Sequence, residues 1–504
     1  MKNFKKEVVD AYTQHTASDT LPANLCMARS LIPPGTGAYR DFSSIASELP
    51  HFISQNCVGC MACVVECPDT AILGKVVEED VLKEALKENE SLKTEFTKTT
   101  KYYTTYEKRG RKPGLFQIAI DPTKCKGCGE CVTVCGDHNA LKMVSKSETV
   151  LKETGQKFDF FKKLPPTPKD FIQEKILSDF MLSPDALLYV GGAGSCMGCG
   201  EATGIRMMLA ATGFVHGQHS CGIVAATGCN TVYGSTYPYN PYLVSWTNSL
   251  FENACAVAMG IRARWDQQGL HPKKLWVLGG DGAMLDIGFQ SLSRLLMSGL
   301  DINILVLDTQ AYSNTGGQAS TATFTSQNAK MAAHGSKLSG KSERRKELSN
   351  IALMHPDVYV AQTVTSMTTH FYQAILRANE FPGPALVNVY ASCPPEHGIR
   401  DNAASEQSKA AVTSRAFPLL TYDPHRGEKL KERLSLKGNP AATQDWYIDP
   451  KTKNVFDFTA FAKTEGRFSK QFDANGSPSL AMKAAQEDRL KNWHLLQELA
   501  GLRA

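Results

Sequence analysis

No apolar run in this 504-residue chain approaches the ~20 residues that a membrane-crossing helix requires. The longest, such as Ile302 to Leu307, have the length of buried strands, so no membrane span is expected. Strong charge of either sign is also missing. Lys and Arg number 55 against 50 Asp and Glu, a net +5, and no basic stripe interleaves with aromatic residues. Composition therefore gives nucleic-acid binding no support. The opening Met1-Lys-Asn-Phe-Lys-Lys-Glu lacks the apolar stretch of a secretion signal. Without that signal the 15 cysteines do not read as a disulfide framework, and a reducing, cytoplasmic setting is expected. The dinucleotide spacing G-x-G-x-x-G is absent as well.

What is present is a cysteine pattern written twice. Cys57-Val-Gly-Cys60-Met-Ala-Cys63-Val-Val-Glu-Cys67-Pro68 and Cys125-Lys-Gly-Cys128-Gly-Glu-Cys131-Val-Thr-Val-Cys135-Gly136 both follow C-x2-C-x2-C-x3-C. This spacing holds [4Fe–4S] clusters: three thiolates wrap one cube, and the fourth points to the other cube. On that logic Cys57, Cys60, Cys63 and Cys135 form one set, and Cys125, Cys128, Cys131 and Cys67 the other. Zinc ribbons also use C-x2-C pairs, but they leave the third cysteine of each run without a role. Gly136 stands where the first run has Pro68, and glycine can make the same turn.

The chain reads as five blocks. Residues 1–50 carry Ile32-Pro-Pro-Gly-Thr-Gly and no sustained period, as an arm or linker would. Residues 51–150 form the two-cluster module, interrupted by a charged stretch, Glu78 to Lys101, expected as a solvated helix. Residues 151–184 contain Pro165, Pro166 and Pro168 and read as a linker. From 185 to 424, apolar strands such as Leu275-Trp-Val-Leu-Gly, Ile302-Asn-Ile-Leu-Val-Leu and Ala385-Leu-Val-Asn-Val-Tyr alternate with glycine turns and helices. That alternation predicts a parallel α/β sheet. Residues 425–504 are polar and weakly periodic, with a helix expected around Leu480 to Leu502.

A second chemical signal lies in the α/β block. Leu278-Gly-Gly280-Asp281-Gly282-Ala-Met-Leu-Asp286-Ile-Gly288 follows a strand and opens a helix, a place suited to phosphate. A second strand leads to Thr309-Gln-Ala311-Tyr-Ser-Asn314-Thr-Gly316-Gly317. Gly-Asp-Gly, helix, strand and polar oxygens make the layout of a thiamine diphosphate site. Magnesium takes about six oxygens, commonly one or two carboxylates with substrate phosphates and water. Asp281 offers the carboxylate, with Thr309 and the Ala311 carbonyl completing the protein's share. Thr309 replaces the asparagine usual in such motifs. A glycine turn with a capping aspartate is the plainer reading of Gly280-Asp281-Gly282 alone.

Three further segments carry thiols: Gly194-Ser-Cys196-Met-Gly-Cys199-Gly-Glu201, Ala226-Thr-Gly-Cys229-Asn-Thr and Tyr390-Ala-Ser-Cys393-Pro. With Ser249-Leu-Phe-Glu-Asn253 and the motifs above, the order from about Gly35 to Pro424 closely resembles the pyruvate:ferredoxin oxidoreductase family of 2-oxoacid oxidoreductases. The resemblance implies an α/β thiamine-diphosphate-binding fold, a parallel sheet flanked by helices, with an α+β ferredoxin-like domain carrying two [4Fe–4S] clusters. It implies that Cys196, Cys199, Cys229 and Cys393 ligate a third, proximal cluster, and that Asn314 faces the reactive end of the cofactor. Gly280, Asp281, Gly282, Thr309, Ala311 and Asn314 would then bind thiamine diphosphate and Mg²⁺. Cys26, Cys221 and Cys255 match no ligand position. For Cys221, eight residues before Cys229, that assignment is the closest choice. His219, His397 and Glu201 lie near motif residues and are read as structural.

The implied reaction is oxidative decarboxylation of a 2-oxoacid to acyl-coenzyme A and CO₂, with electrons passing through three clusters to ferredoxin or flavodoxin, reversibly. Pyruvate follows from the overall resemblance; 2-oxoglutarate, aryl and branched-chain acids are alternatives. A non-oxidative thiamine decarboxylase and an electron-transfer subunit with a vestigial thiamine fold are others. Only the diphosphate half of a thiamine site is recognisable. A partner subunit bearing the pyrimidine-binding module is therefore expected, in a dimer of heteromers.

Overall fold

The computed structural model describes residues 2–271, 273–335 and 339–503. They fall into two compact units. One is Met1–Gly198, Ile205–His219 and Tyr233–Ser245; the other is Cys199–Gly204, Ser220–Val232 and Trp246–Ala504. Among the described residues no helix is long and apolar enough to cross a membrane.

The first unit repeats one local plan. Strand β1 (Glu48–Phe52) leads into the first cysteine run, then a short helix (Ala62–Val65), then β2 (Ile72–Glu78). Strand β3 (Gly114–Ile120) leads into the second run, then a helix (Glu130–Cys135), then β4 (Leu141–Ser145). The copies interlock, because β1 pairs antiparallel with β4 and β2 with β3. Each copy thus completes the other.

The charged stretch from Glu78 is helical only over Glu79–Ala85, with a 3₁₀ segment at Glu90–Glu95. It is not simply a solvated face: Leu82, Leu86 and Phe96 pack with Phe160 of the helix Glu148–Lys163. Residues 1–50 contain short helices, and Phe4, Val8 and Val9 bury against Met27, Tyr39, Tyr237 and Tyr239.

The second unit is built on one large sheet. Its strands are β5 (Cys221–Ala226), β6 (Ser245–Ser249), β7 (Lys274–Gly280), β8 (Asn303–Asp308), β9 (Tyr359–Val364), β10 (Ala385–Tyr390), β11 (Leu420–Tyr422) and β12 (Leu434–Ser435). The order is β12-β11-β9-β10-β8-β7-β5-β6. Pairing is parallel from β5 through β7, β8 and β10 to β9, and antiparallel at β11 and β12. Every residue of β5, β8, β9 and β10 is buried, as in parallel strands covered on both faces, and apolar residues dominate them. Helices Ala254–Gln267, Phe289–Leu296 and Thr368–Glu380 lie between strands in sequence and supply the crossovers.

Register fixes where the site lies. Gly280 pairs with Leu307, and Asp308 pairs with Tyr390, so β7, β8 and β10 end together. Loops leaving that carboxyl edge carry Asp281, Thr309 and Cys393. The carboxyl edge is where open α/β sheets bind ligands.

Residues 425–504 are less peripheral than their polarity suggests. The helix Leu480–Leu499 buries Met482, Trp493 and Leu496, and Trp493 Nε1 donates to the Gln444 carbonyl at 2.8 Å. The Arg415 guanidinium stacks 4.3 Å above the Trp493 ring.

Candidate functional site

The sharp turn after β7 places Asp281 on the sheet edge. The glycines leave room for it: a methyl group on Gly282 would meet the Tyr312 ring, and one on Gly279 would meet Met284 and Ala226. The chain then winds through a π-helical turn, Gly282–Ile287, before the α-helix Phe289–Leu296. Such turns gather at functional sites.

Three oxygens converge there. Asp281 Oδ1 accepts from the Thr309 amide and hydroxyl, both at 3.2 Å, and Thr309 Oγ1 lies 3.1 Å from the Ala311 carbonyl oxygen. An octahedron with metal–oxygen bonds of about 2.1 Å has edges of about 3 Å, so this spacing fits magnesium. The convergence depends on Gln310, a buried non-glycine residue held at φ 57°. That left-handed step turns the Thr309 side chain and the Ala311 carbonyl toward one point. Left-handed backbone costs such a residue about 1 kcal/mol or more and persists only where neighbours enforce it.

The neighbours are numerous. Gln310 Nε2 donates to Asp308 Oδ1 at 3.0 Å, and Gln310 Oε1 accepts from Arg467 at 2.9 Å. The Gln310 carbonyl accepts from Thr323 Oγ1 at 2.7 Å and Gln327 Nε2 at 3.1 Å. Behind them, Arg345 pairs with Asp308, both wholly buried. Ser320 Oγ donates to Asp281 Oδ2 at 2.5 Å. Burial and the nearby Asp308 push the Asp281 carboxyl up to about 7. A bound divalent cation would hold it ionised.

His397 ties this loop to a cysteine. Its Nε2 donates to the Thr309 carbonyl at 2.9 Å, which leaves Nδ1 as the acceptor facing the Cys393 amide at 3.4 Å. Burial and Arg467 hold the imidazole well below its ordinary value, so it stays neutral in this one tautomer. Tyr390 and Arg467 both bond to Glu465, at 2.8 and 2.6 Å, closing a buried network beneath the loop.

A recess lies in front of these groups, lined by Asp281, Thr309, Ala311 and Asn314 together with Cys229 and Glu201. Cys393 is near Ser313 and Glu201. The Gly200 amide donates to the Ser392 carbonyl at 3.0 Å, and a methyl group on Gly200 would sit 2.5 Å from the Ser392 nitrogen. Glycine after Cys199 thus lets that turn lie against the residue preceding Cys393. Cys196 belongs to the first unit; Cys199, Cys229 and Cys393 belong to the second. Cys221 is buried in β5 and Cys255 packs on Met284, each away from these thiols.

In the first unit the eight cysteines form two quartets. Cys57, Cys60, Cys63 and Cys135 line one recess; Cys67, Cys125, Cys128 and Cys131 line another. Burial and neighbouring thiols raise Cys57 to about 11 and Cys128 to about 12, so their ligation would release protons. Lys126 lines the second recess and donates to Asp69 and to the Ser195 carbonyl, both at 2.7 Å.

Gln310, Ser320, His397, Glu465 and Arg467 complete the thiamine-side site beyond the residues the motifs singled out. Ser320 and Arg467 have no motif around them, and only the fold brings them near Asp281 and Gln310.

Comparison with known proteins agrees with this geometry. Residues 226–389 match the thiamine pyrophosphate enzyme C-terminal TPP-binding domain, and residues 56–140 match the 4Fe–4S dicluster domain. A probable pyruvate-flavodoxin oxidoreductase of Escherichia coli is 30% identical over 84% of this chain and 40% of its own. A pyruvate:ferredoxin oxidoreductase of Moorella thermoacetica is 28% identical over 83% of this chain and 40% of its own. A putative pyruvate-flavodoxin oxidoreductase of Synechocystis is 27% identical over 99% of this chain and 45% of its own. The chain thus spans under half the length of these relatives. Two motif-bearing domains are thus each matched where the structure gathers its ligand-type residues, and most of the sequence is similar to pyruvate:ferredoxin and pyruvate-flavodoxin oxidoreductases.

Proposed function

We propose that this chain is the thiamine- and cluster-bearing part of a 2-oxoacid:ferredoxin or flavodoxin oxidoreductase, acting on pyruvate and coenzyme A in the cytoplasm. The observation that carries this reading is the shared recess, where Asp281, Thr309 and Ala311 present three oxygens at magnesium spacing and which Cys229 also lines. A thiamine decarboxylase with no redox step has no use for a thiol there.

Asp281, Thr309 and Ala311 hold Mg²⁺, the Gly280-Asp281-Gly282 turn receives the diphosphate, and Asn314 contacts the reactive end of the cofactor. Thiamine diphosphate, when bound, supplies the electron sink for decarboxylation of the 2-oxoacid. The chain's residues fix and shield it: Gln310 locks the metal loop, and neutral His397 keeps Thr309 in register with Cys393. Cys196, Cys199, Cys229 and Cys393 hold the proximal cluster. The quartets Cys57/Cys60/Cys63/Cys135 and Cys125/Cys128/Cys131/Cys67 hold the two that lead outward to ferredoxin or flavodoxin.

In this reading a partner subunit contributes the pyrimidine-binding module, and the pairs associate about a two-fold axis. The test is dye reduction by the complex, purified without oxygen, with coenzyme A and a panel of pyruvate, 2-oxoglutarate, aryl and branched-chain 2-oxoacids. Pyruvate-dependent reduction is expected. Reduction with another acid alone reassigns the substrate, and none with any acid overturns the reading.

A further inference from the structure

Arg206 is 3% exposed, in the part of helix Gly200–His216 that belongs to the first unit. Its Nε donates to the Cys67 carbonyl and its Nη1 to the Val64 carbonyl, both at 2.9 Å; Nη2 also reaches Val64. No carboxylate among the described residues forms an ion pair with it. Asp69 feels its charge, but Asp69 Oδ1 is already bonded to Lys126. A buried guanidinium without a counter-charge is costly, and native proteins supply one. The turn that Arg206 grips supplies the explanation. It runs from Cys63 to Cys67, and these two residues line different recesses: Cys63 the first quartet's, Cys67 the second's.

We propose that Arg206 is an electrostatic positioning residue of the two-cluster module, whose counter-charge is the pair of anionic clusters and which raises their reduction potentials. This rests on the reading of both quartets as [4Fe–4S] ligands. Reduction of a cubane adds one electron and one negative charge, with no bond formed or broken. A fixed cation beside both ligand sets therefore favours the reduced state. Net charge and hydrogen bonding are the protein's means of setting such potentials.

The experiment is a dithionite redox titration of the anaerobically purified protein, followed by electron paramagnetic resonance, with iron measured in parallel. Arg206→Met should keep its iron and shift the ferredoxin-type signals to lower potential. The expected change is about tenfold in the reduced-to-oxidised ratio at a given potential, ~59 mV for one electron. Arg206→Lys, which keeps the charge and loses the forked bonding, should stay within about threefold of the parent, ~30 mV by the same conversion. Full iron with unmoved potentials in Arg206→Met overturns the proposal, as does an equal shift in both variants. If Arg206→Met loses its clusters, Arg206→Lys must retain them; loss in both assigns Arg206 a purely structural role. A parent protein without [4Fe–4S] signals refutes the cluster reading itself, a separate result.

Discussion

Asp281 and its supports show how much of the site depends on single residues. Asp281→Asn replaces the only carboxylate among the proposed metal oxygens with a neutral amide. Thiamine diphosphate binding in the presence of Mg²⁺ should weaken by more than the about 10–100-fold typical of a supporting residue, with iron unchanged. Titration by intrinsic fluorescence would show this, and unaltered affinity would remove Asp281 from the site. Arg467→Ala should fall within that 10–100-fold range, because it frees the Gln310 side chain that holds the left-handed turn. The thiols divide as sharply. Cys229 lines the cofactor recess, whereas Cys221 is enclosed in β5 with no other cysteine affecting it. Cys229→Ala should lose one cluster's iron and oxidative turnover; Cys221→Ala should lose neither. The opposite pattern would transfer the ligand role to Cys221.

At the scale of elements, most of what the sequence announces is local. The cysteine runs, the Gly-Asp-Gly turn and the apolar strands were legible because spacing and burial impose short-range patterns. Strands expected at Leu275, Ile302 and Ala385 are β7, β8 and β10, within a residue or so of their expected starts. The supporting network was not legible, because Glu465 and Arg467 act on a loop some 150 positions earlier and no periodicity marks such a contact. Polarity misled in the same way: charge in residues 425–504 reads as surface, yet Arg467 and Glu465 are wholly buried as a pair. The junction of β7 with the turn after it offers a direct check. Gly282→Ala would press a methyl group into the Tyr312 ring and should destabilise the second unit by about 1–3 kcal/mol. A thermal unfolding midpoint equal to the parent's would show that the turn has room to spare.

At the scale of the whole molecule, the two units hold different parts of the proposed machinery: the first carries both cysteine quartets and Cys196, the second Asp281, Thr309 and Ala311 with Cys199, Cys229 and Cys393. The most direct measurement is metal and cofactor analysis of the protein isolated without oxygen, with the proposed pyrimidine-bearing partner, Mg²⁺ and thiamine diphosphate. Three cubanes and one cofactor predict about twelve iron atoms and one thiamine per chain, with no stoichiometric zinc. About eight iron atoms would contradict the third cluster, and zinc in place of iron with no retained thiamine would contradict the account as a whole.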